Sequence, residues 1–275
     1  MIQLLIQAFW TSLITSSSSF LSFFGIAFLA RYISPETFGI YIFCLAAKEI
    51  ISSTCAPSLS QAYLFSDGTP EDLKNVCKIN VLYSFFIAIA SIIGAFIIEV
   101  KYGDFYFNII ILFGVLSIFN NYSAIFLSIG EKKMNFKKVS FIRSFSLVVS
   151  LLITCFLAII FGDNLTILIV KEVIFSILLF SLSLTFYSKF TKKQKINSNI
   201  KYLFKYSLRS YFPRLTETLS YKIFDLMTAS LLGKNFLGLF NQALNIIRIP
   251  YKFLGAITDN ILFVHLKDHK QKKKI

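Results

Sequence analysis

Eight apolar runs, each near the length that crosses a bilayer, constrain this chain more than any other feature of its sequence. An α-helix needs about 20 apolar residues to span the hydrocarbon core. The runs are continuous and do not alternate in polarity, as barrel strands would. We therefore predict an all-α integral membrane protein with about eight transmembrane helices. The predicted spans are Gln3–Ala30, Phe38–Ser60, Ile79–Val100, Phe105–Ile129, Val139–Phe161, Leu165–Tyr187, Tyr211–Leu232 and Leu239–Val264.

The composition excludes a soluble protein. Hydrophobic residues make up 56% of the chain and charged residues only 15%, against about 25% charged residues in soluble domains. A soluble protein of this kind would expose too much apolar surface to stay dispersed. The formal net charge is +14, but the basic residues sit mostly between apolar runs. They favour contact with anionic lipid head groups and not with nucleic acid.

The loops between the runs differ sharply in charge. Twenty lysines and arginines fall on one side of the predicted membrane, and only Arg31, Lys101 and Lys234 fall on the other. Because positive loops stay in the cytoplasm, this split predicts a multi-pass membrane protein with both termini cytoplasmic. The first run is predicted to be a retained helix; cleavage after it as a signal peptide is the alternative.

A polar stretch divides the chain into two parts. We predict a six-helix lobe over residues 1–188, a basic cytoplasmic linker over 189–210, two helices of a second lobe over 211–264 and a lysine-rich tail over 265–275. A weak repeat at an offset of 199 residues supports this division. It pairs Gly39 with Gly238, Tyr41 with Phe240 and Leu45 with Leu244, and it predicts a parallel repeat of the kind seen in some transporters.

Charged residues inside the predicted spans are the main functional signal. A charge near the bilayer centre costs at least about 2.5 kcal/mol, so such residues usually face a bundle interior or a water-filled cavity. The candidates for binding an anionic substrate are Lys48, Lys171, Arg248 and Lys252. The candidates for ion pairing or ion coupling are Glu49, Glu172, Glu217, Lys222, Asp225 and Asp259. The adjacent pairs Lys48/Glu49 and Lys171/Glu172 could instead only neutralise charge between helices.

The eighth span has the clearest polar face. Arg248 and Lys252 are four residues apart and share a helix face, and Asp259 follows seven residues later. Gly255 would open space between them, and Pro250 would loosen the backbone beside Arg248. Two cations on one face suit an anionic group such as a phosphate.

The sequence contains no recognisable catalytic or metal motif. The cysteines and histidines lack metal-ligand spacing; they are Cys44, Cys55, Cys77, Cys155, His265 and His269. We therefore expect a protein that is not an enzyme, with no cofactor and no metal.

Three segments resemble a known family. Residues 31–41 (RYISPETFGIY) resemble the first outer loop of bacterial polysaccharide flippases of the O-antigen translocase type. These Wzx-like proteins belong to the multidrug/oligosaccharidyl-lipid/polysaccharide exporter superfamily. Residues 130–136 (GEKKMNF) resemble an inner loop of that family. Asp225 and residues 231–243 (LLGKNFLGLFNQA) resemble its helix seven–eight hairpin.

The resemblance implies a function and a fold. It implies two six-helix lobes around a central cavity, and transfer of undecaprenyl-diphosphate-linked oligosaccharide to the periplasmic leaflet. Lys48 and Arg248 would be the cavity cations that meet the substrate. The implied partners are the lipid-linked oligosaccharide, membrane lipids, and polysaccharide polymerase and chain-length machinery. The family has twelve or fourteen spans, so we expect a form shortened at its C-terminus that does not transport alone.

Three other functions compete with this one. A drug or ion exporter of the same superfamily would share the fold, but its cationic cargo would be repelled by a basic cavity. A non-transporting scaffold of a polysaccharide assembly complex would have no need of charges near the membrane midplane. A membrane glycosyltransferase is disfavoured by the short outer loops.

Overall fold

The computed structural model describes residues 2–57, 59–66, 69–103, 105–188 and 200–257. Within these residues the chain forms nine α-helices and no strand, so the prediction of an all-α membrane protein is confirmed. The helices are α1 Ile2–Leu29, α2 Pro35–Cys55, α3 Leu59–Phe65, α4 Pro70–Tyr102, α5 Phe105–Lys132, α6 Phe136–Phe161, α7 Leu165–Ser188, α8 Ile200–Leu232 and α9 Lys234–Ile257.

Local sequence fixes where two of these helices begin. Ser34 caps α2 by accepting a hydrogen bond from the Thr37 backbone N–H, and Pro35 occupies the first helical position. Thr69 and Asp72 form a capping box at the start of α4, which again begins with a proline. Proline suits this position because the first backbone N–H of a helix has no partner within the helix.

In the part of the chain that the structure describes, six helices are long and apolar enough to cross a membrane: α1, α2, α4, α5, α6 and α7. The predicted seventh and eighth spans fall on α8 and α9, which are 33 and 24 residues long. These two helices carry the charged and amide side chains described below, so apolarity alone does not identify them as spans.

The structure corrects several predicted boundaries. The second span was predicted to end at Ser60, but α2 ends at Cys55 and Pro57 follows it. The short helix α3 that comes next was not predicted. Residues 200–210, which were predicted to belong to the linker, form the beginning of α8 although many of them are polar. Residues 189–199, Asp259 and the tail over 265–275 lie outside the described residues.

Four turns meet at one end of the bundle, called here the lysine-poor end: those after α1, α4, α6 and α8. The Ser34 backbone N–H donates to Asp163 Oδ1 at 3.1 Å, which joins the α1–α2 and α6–α7 turns. Burial alone would raise the pKa of Asp163, but hydrogen bonds from Ser34 and Thr37 outweigh it and hold that pKa below its ordinary value. Lys234 Nζ donates to Tyr106 OH, which joins the start of α9 to the start of α5.

The helices α2 and α9 cross at this end with no room for a side chain. A Cβ atom on Gly39 would overlap the backbone carbonyl oxygen of Lys234, and one on Gly238 would overlap that of Pro35. Each glycine is the fifth residue of its own helix, and it contacts the first residue of the other helix. The two glycines that the repeat pairs thus make reciprocal contacts, as a parallel repeat would require. The division into lobes itself stays a prediction.

Two apolar cores lie along the bundle. The core towards the lysine-poor end includes Ala229 of α8 and Leu237 of α9 together with residues of α1, α2, α4, α5, α6 and α7. The second core is built from α3, α4, α5, α6 and α7, and none of its described members comes from α8 or α9. Among the described residues, the α8–α9 hairpin therefore contributes side chains to the first core.

Candidate functional site

A buried carboxylate on α7 collects two lysines and a tyrosine hydroxyl. Lys48 of α2 places its Nζ 3.2 Å from Glu172 Oε2, and both side chains are buried or nearly so, with 9% and 13% exposure. Tyr41 OH donates to Glu172 Oε1 at 2.7 Å. Lys171 Nζ donates to Tyr41 OH at 3.1 Å and lies 3.7 Å from Glu172 Oε1. We call Tyr41, Lys48, Lys171 and Glu172 the Glu172 cluster.

Aromatic rings complete the surroundings of these lysines. Lys48 Nζ lies 5.4 Å from the centroid of the Phe113 ring, and Lys171 Nζ lies 5.3 Å from that of Tyr41. The Lys48 distance is within the range of a cation–π interaction. Lys171 instead meets Tyr41 at its hydroxyl, so its ammonium group lies near the ring edge and not over the ring face.

A second cluster lies on the other side of α2. Lys222 of α8 places its Nζ 3.2 Å from Glu49 Oε2 and 3.5 Å from Asp225 Oδ2. Asn241 of α9 donates from Nδ2 to Asp225 Oδ1 at 3.3 Å. We call Glu49, Lys222, Asp225 and Asn241 the Lys222 cluster. The predicted proximity of Lys222 and Asp225, three residues apart on one helix, is confirmed.

The two clusters are adjacent because Lys48 and Glu49 are consecutive residues. Neighbours in a helix point about 100° apart, which allows their side chains to extend towards different helices. Lys48 reaches α7 and Glu49 reaches α8. Each of the two therefore pairs with an opposite charge on another helix, which is the arrangement that the alternative of charge neutralisation between helices describes. Lys171 and Glu172 do approach each other, and Lys48 shares the same carboxylate.

The site lies well inside the helices. Lys48 follows the first residue of α2 by about 20 Å, and Lys222 precedes the last residue of α8 by about 15 Å, at a rise of 1.5 Å per residue. The Glu172 cluster has two ammonium groups and one carboxylate, whereas the Lys222 cluster has one ammonium group and two carboxylates. The formal charges of the two clusters together therefore cancel. Cancellation makes the arrangement tolerable in a medium where an isolated charge is expensive.

The other predicted site residues lie on α8 and α9 or beyond them. Glu217 is exposed on α8, five residues before Lys222. The backbone of α9 stays helical through Pro250 and carries Arg248 and Lys252. The side chains of these two residues, like Asp259, lie outside the described part of the structure. Their roles in binding stay predictions.

The structure adds two residues that the charge pattern missed, Tyr41 and Asn241. Tyr41 precedes Lys48 by seven residues, a spacing that places both on one helix face. That spacing could have identified Tyr41 from the sequence. Asn241 carries no charge, and its contact with Asp225 depends on how α8 and α9 pack, which the sequence does not show. Within the described residues, no group of histidine, cysteine and acidic side chains could hold a metal ion.

Comparison with known proteins gives the family of the chain. No curated protein and no solved structure matches it. A family model described as "Polysaccharide biosynthesis protein" matches residues 28–274, which include every helix of the site. The chain therefore belongs to the polysaccharide biosynthesis protein family.

Proposed function

We propose that this protein is a flippase that carries an undecaprenyl-diphosphate-linked oligosaccharide, such as an O-antigen or capsule repeat unit, from the cytoplasmic to the periplasmic leaflet. Membership in a polysaccharide biosynthesis family supports the cargo class. The single observation that supports transport most directly is the pair of charged clusters inside the helix bundle.

The cargo explains why such charges would be kept. A diphosphate and its sugars cannot cross the hydrocarbon core unaided, because their polar groups would lose water without finding new partners. A bundle that places ammonium, carboxylate, hydroxyl and amide groups along its interior supplies those partners. A purely structural bundle would be as stable with apolar residues at these positions, since a buried ion pair seldom adds net stability.

The same clusters bear on the competing functions. In this proposal the protein moves its cargo without changing a covalent bond, and so it is not an enzyme. A scaffold would not need six charged side chains at this depth. The two clusters together carry no net formal charge, so what favours the flippase over a drug exporter with cationic cargo is membership in a polysaccharide biosynthesis family. The partners would be the lipid-linked oligosaccharide and the polymerase that consumes it on the outer surface.

The proposal is tested by measuring transfer across a membrane. The purified protein is placed in vesicles that contain a fluorescent lipid-diphosphate oligosaccharide, and an impermeant quencher reports the fraction in the outer leaflet. Transfer well above that of vesicles without protein, with none for a cationic dye, would support the proposal and would contradict the expectation that the chain does not transport alone. Transfer of the dye alone would favour the exporter, and transfer of neither would contradict transport by this chain alone. Restoration of surface glycan in a flippase-null strain provides the corresponding test in cells.

A further inference from the structure

We propose that Lys222 is the residue that takes the anionic group of the cargo, and that it does so by giving up its ion pair with Glu49. This inference rests on the proposed function and assigns a binding role to a lysine that the charge pattern alone marks only as an ion-pair residue. The cargo group would be an oxyanion, either the diphosphate of the lipid carrier or the carboxylate of an acidic sugar.

The two ion pairs made by α2 differ in burial. The Lys48–Glu172 pair has 9% and 13% exposure, whereas the Lys222–Glu49 pair has 20% and 47%. Both pairs have the same nitrogen–oxygen distance of 3.2 Å, so distance does not distinguish them. Accessibility does, because an incoming group can reach Lys222 from the side on which Glu49 is exposed.

Burial decides which pair can be exchanged. Breaking a buried pair leaves a charge without a partner in a low-dielectric interior and is strongly unfavourable. Charged groups at this depth in a bundle usually face a water-filled cavity, and under the proposed function the exposed side of the Glu49–Lys222 pair lines that cavity. An ion pair in contact with water contributes little, so a negative cargo group would replace Glu49 on Lys222 at lower cost than it would replace Glu172 on Lys48.

The remaining contacts of each lysine also favour Lys222 as the residue whose partner is exchanged. Lys171 is 23% exposed, but it already contacts Tyr41 OH and Glu172. Among the described side chains, Lys222 would keep its contact with Asp225, which lies on its own helix and accepts a hydrogen bond from Asn241. Asp225 would thus hold the ammonium group in place while its other partner is exchanged.

The exchange would also affect how the helices are held together. The Glu49–Lys222 pair joins α2 to α8 across the predicted boundary between the two lobes. A cargo group that displaces Glu49 would remove this link at the moment of binding. Binding would therefore favour separation of α2 and α8, which couples the presence of cargo to a change of conformation.

The first measurement is the affinity of the purified protein in detergent for geranylgeranyl diphosphate, with geranylgeraniol as the uncharged probe. We expect Lys222→Gln to weaken diphosphate binding about tenfold or more, since a charge-assisted hydrogen bond is lost. Lys222→Arg should retain most of the affinity. Glu49→Gln should tighten binding by up to about fivefold, because a competing surface ion pair is removed. Geranylgeraniol should be unaffected by all three.

Two matched controls remove the same charges from the same helices. Glu36→Gln neutralises an exposed carboxylate at the start of α2, and Arg209→Gln neutralises an exposed cation on α8. Both should leave the affinity unchanged. Thermal unfolding of each variant shows whether it is folded, and the tightening expected of Glu49→Gln cannot come from misfolding.

A second probe identifies the source of the oxyanion. Glucuronic acid is titrated against the same variants. If Lys222→Gln weakens binding of the diphosphate alone, the result supports the lipid carrier as the source of the oxyanion. If it weakens binding of glucuronic acid alone, the result supports an acidic sugar. If the wild-type protein binds the diphosphate and both the Lys222→Gln and Glu49→Gln variants bind it equally well, this inference is wrong while the proposed function stands. If the wild-type protein binds neither probe, the proposed function is contradicted as well.

Discussion

At the scale of single residues, we expect substitution of Glu172 to destabilise the protein most. Its carboxylate contacts Lys48, Lys171 and the hydroxyl of Tyr41. Glu172→Gln would leave two ammonium groups without a counter-charge, and we expect it to lower the free energy of unfolding by about 3–5 kcal/mol. The measurement is thermal unfolding of the purified protein in detergent.

The control for this prediction removes one of the stranded charges. Adding Lys48→Met to Glu172→Gln should recover part of the stability, because an apolar side chain replaces an unpaired ammonium group. A double variant whose loss equals the sum of the two single losses would show that Lys48 and Glu172 do not interact energetically.

The sequence predicts these residues better than it predicts their partners. The cost of a charge inside an apolar run is enough to single out Lys48, Glu49, Lys171, Glu172 and Lys222. Which lysine meets which carboxylate depends on how α2, α7 and α8 pack, so the sequence does not show that Lys48 meets Glu172. Spacing within one helix was sufficient for Lys222 with Asp225 and for Lys171 with Glu172.

At the scale of the helices, the crossing of α2 and α9 is the contact most sensitive to added volume. We expect Gly39→Ala to destabilise the protein by about 1–3 kcal/mol, since its methyl group would overlap the Lys234 backbone carbonyl and the backbone cannot move aside cheaply. Gly238→Ala should behave alike, because it meets the Pro35 carbonyl. Unfolding temperatures of the purified variants provide the test.

Gly94 of α4 provides a matched control for this crossing. A methyl group there would meet the end of the Ile51 side chain at 3.0 Å, and that side chain can rotate away. Gly94→Ala should therefore cost much less than Gly39→Ala. Equal losses for the two variants would show that the penalty reflects alanine in a membrane helix generally and not the close approach of α2 and α9.

The helix boundaries also show which features can be predicted from the local sequence and which depend on tertiary contacts. Proline and the capping residues mark the starts of α2 and α4 in the sequence itself. The short helix α3 escapes prediction because seven residues are too few for a periodic pattern. It is held from outside by Lys132 of α5, whose Nζ donates to the Tyr63 carbonyl at 3.1 Å. Such a contact between distant segments has no signature in the local sequence.

At the scale of the whole molecule, the polar residues that α8 and α9 contribute to the site make it harder to identify these helices as membrane spans. Six of the described helices, all from the first part of the chain, are identified as spans by length and apolarity, and α2 and α7 are among them although they carry the Glu172 cluster. The α8–α9 hairpin carries Lys222, Asp225 and Asn241, and these residues lower its apolarity. Apolarity alone therefore does not decide whether α8 and α9 cross the membrane.

The side of the membrane on which the α8–α9 turn lies distinguishes a protein of six spans from one of eight. Lys234 rests against Gly39 near the start of α2, so the turn lies at the same end of the bundle as the α1–α2 turn. If α8 and α9 cross the membrane, both turns face the outside, and the residues between α5 and α6 face the cytoplasm. Cysteines introduced at exposed positions report this directly: Tyr32 and Asn235 for the two turns, and Lys133 for the opposite end.

The measurement uses a variant without the four native cysteines and a membrane-impermeant maleimide added to intact cells. We expect Tyr32→Cys and Asn235→Cys to react, and Lys133→Cys to react only after the membrane is opened. Labelling of Tyr32→Cys without Asn235→Cys would mean that α8 does not cross and that the hairpin lies against the six spans. Labelling of Lys133→Cys alone would reverse the orientation predicted from the loop charges. Reaction of both turns would place the Lys222 cluster, about 15 Å along α8 from its last residue, within the depth of the bilayer, where the proposed exchange requires it.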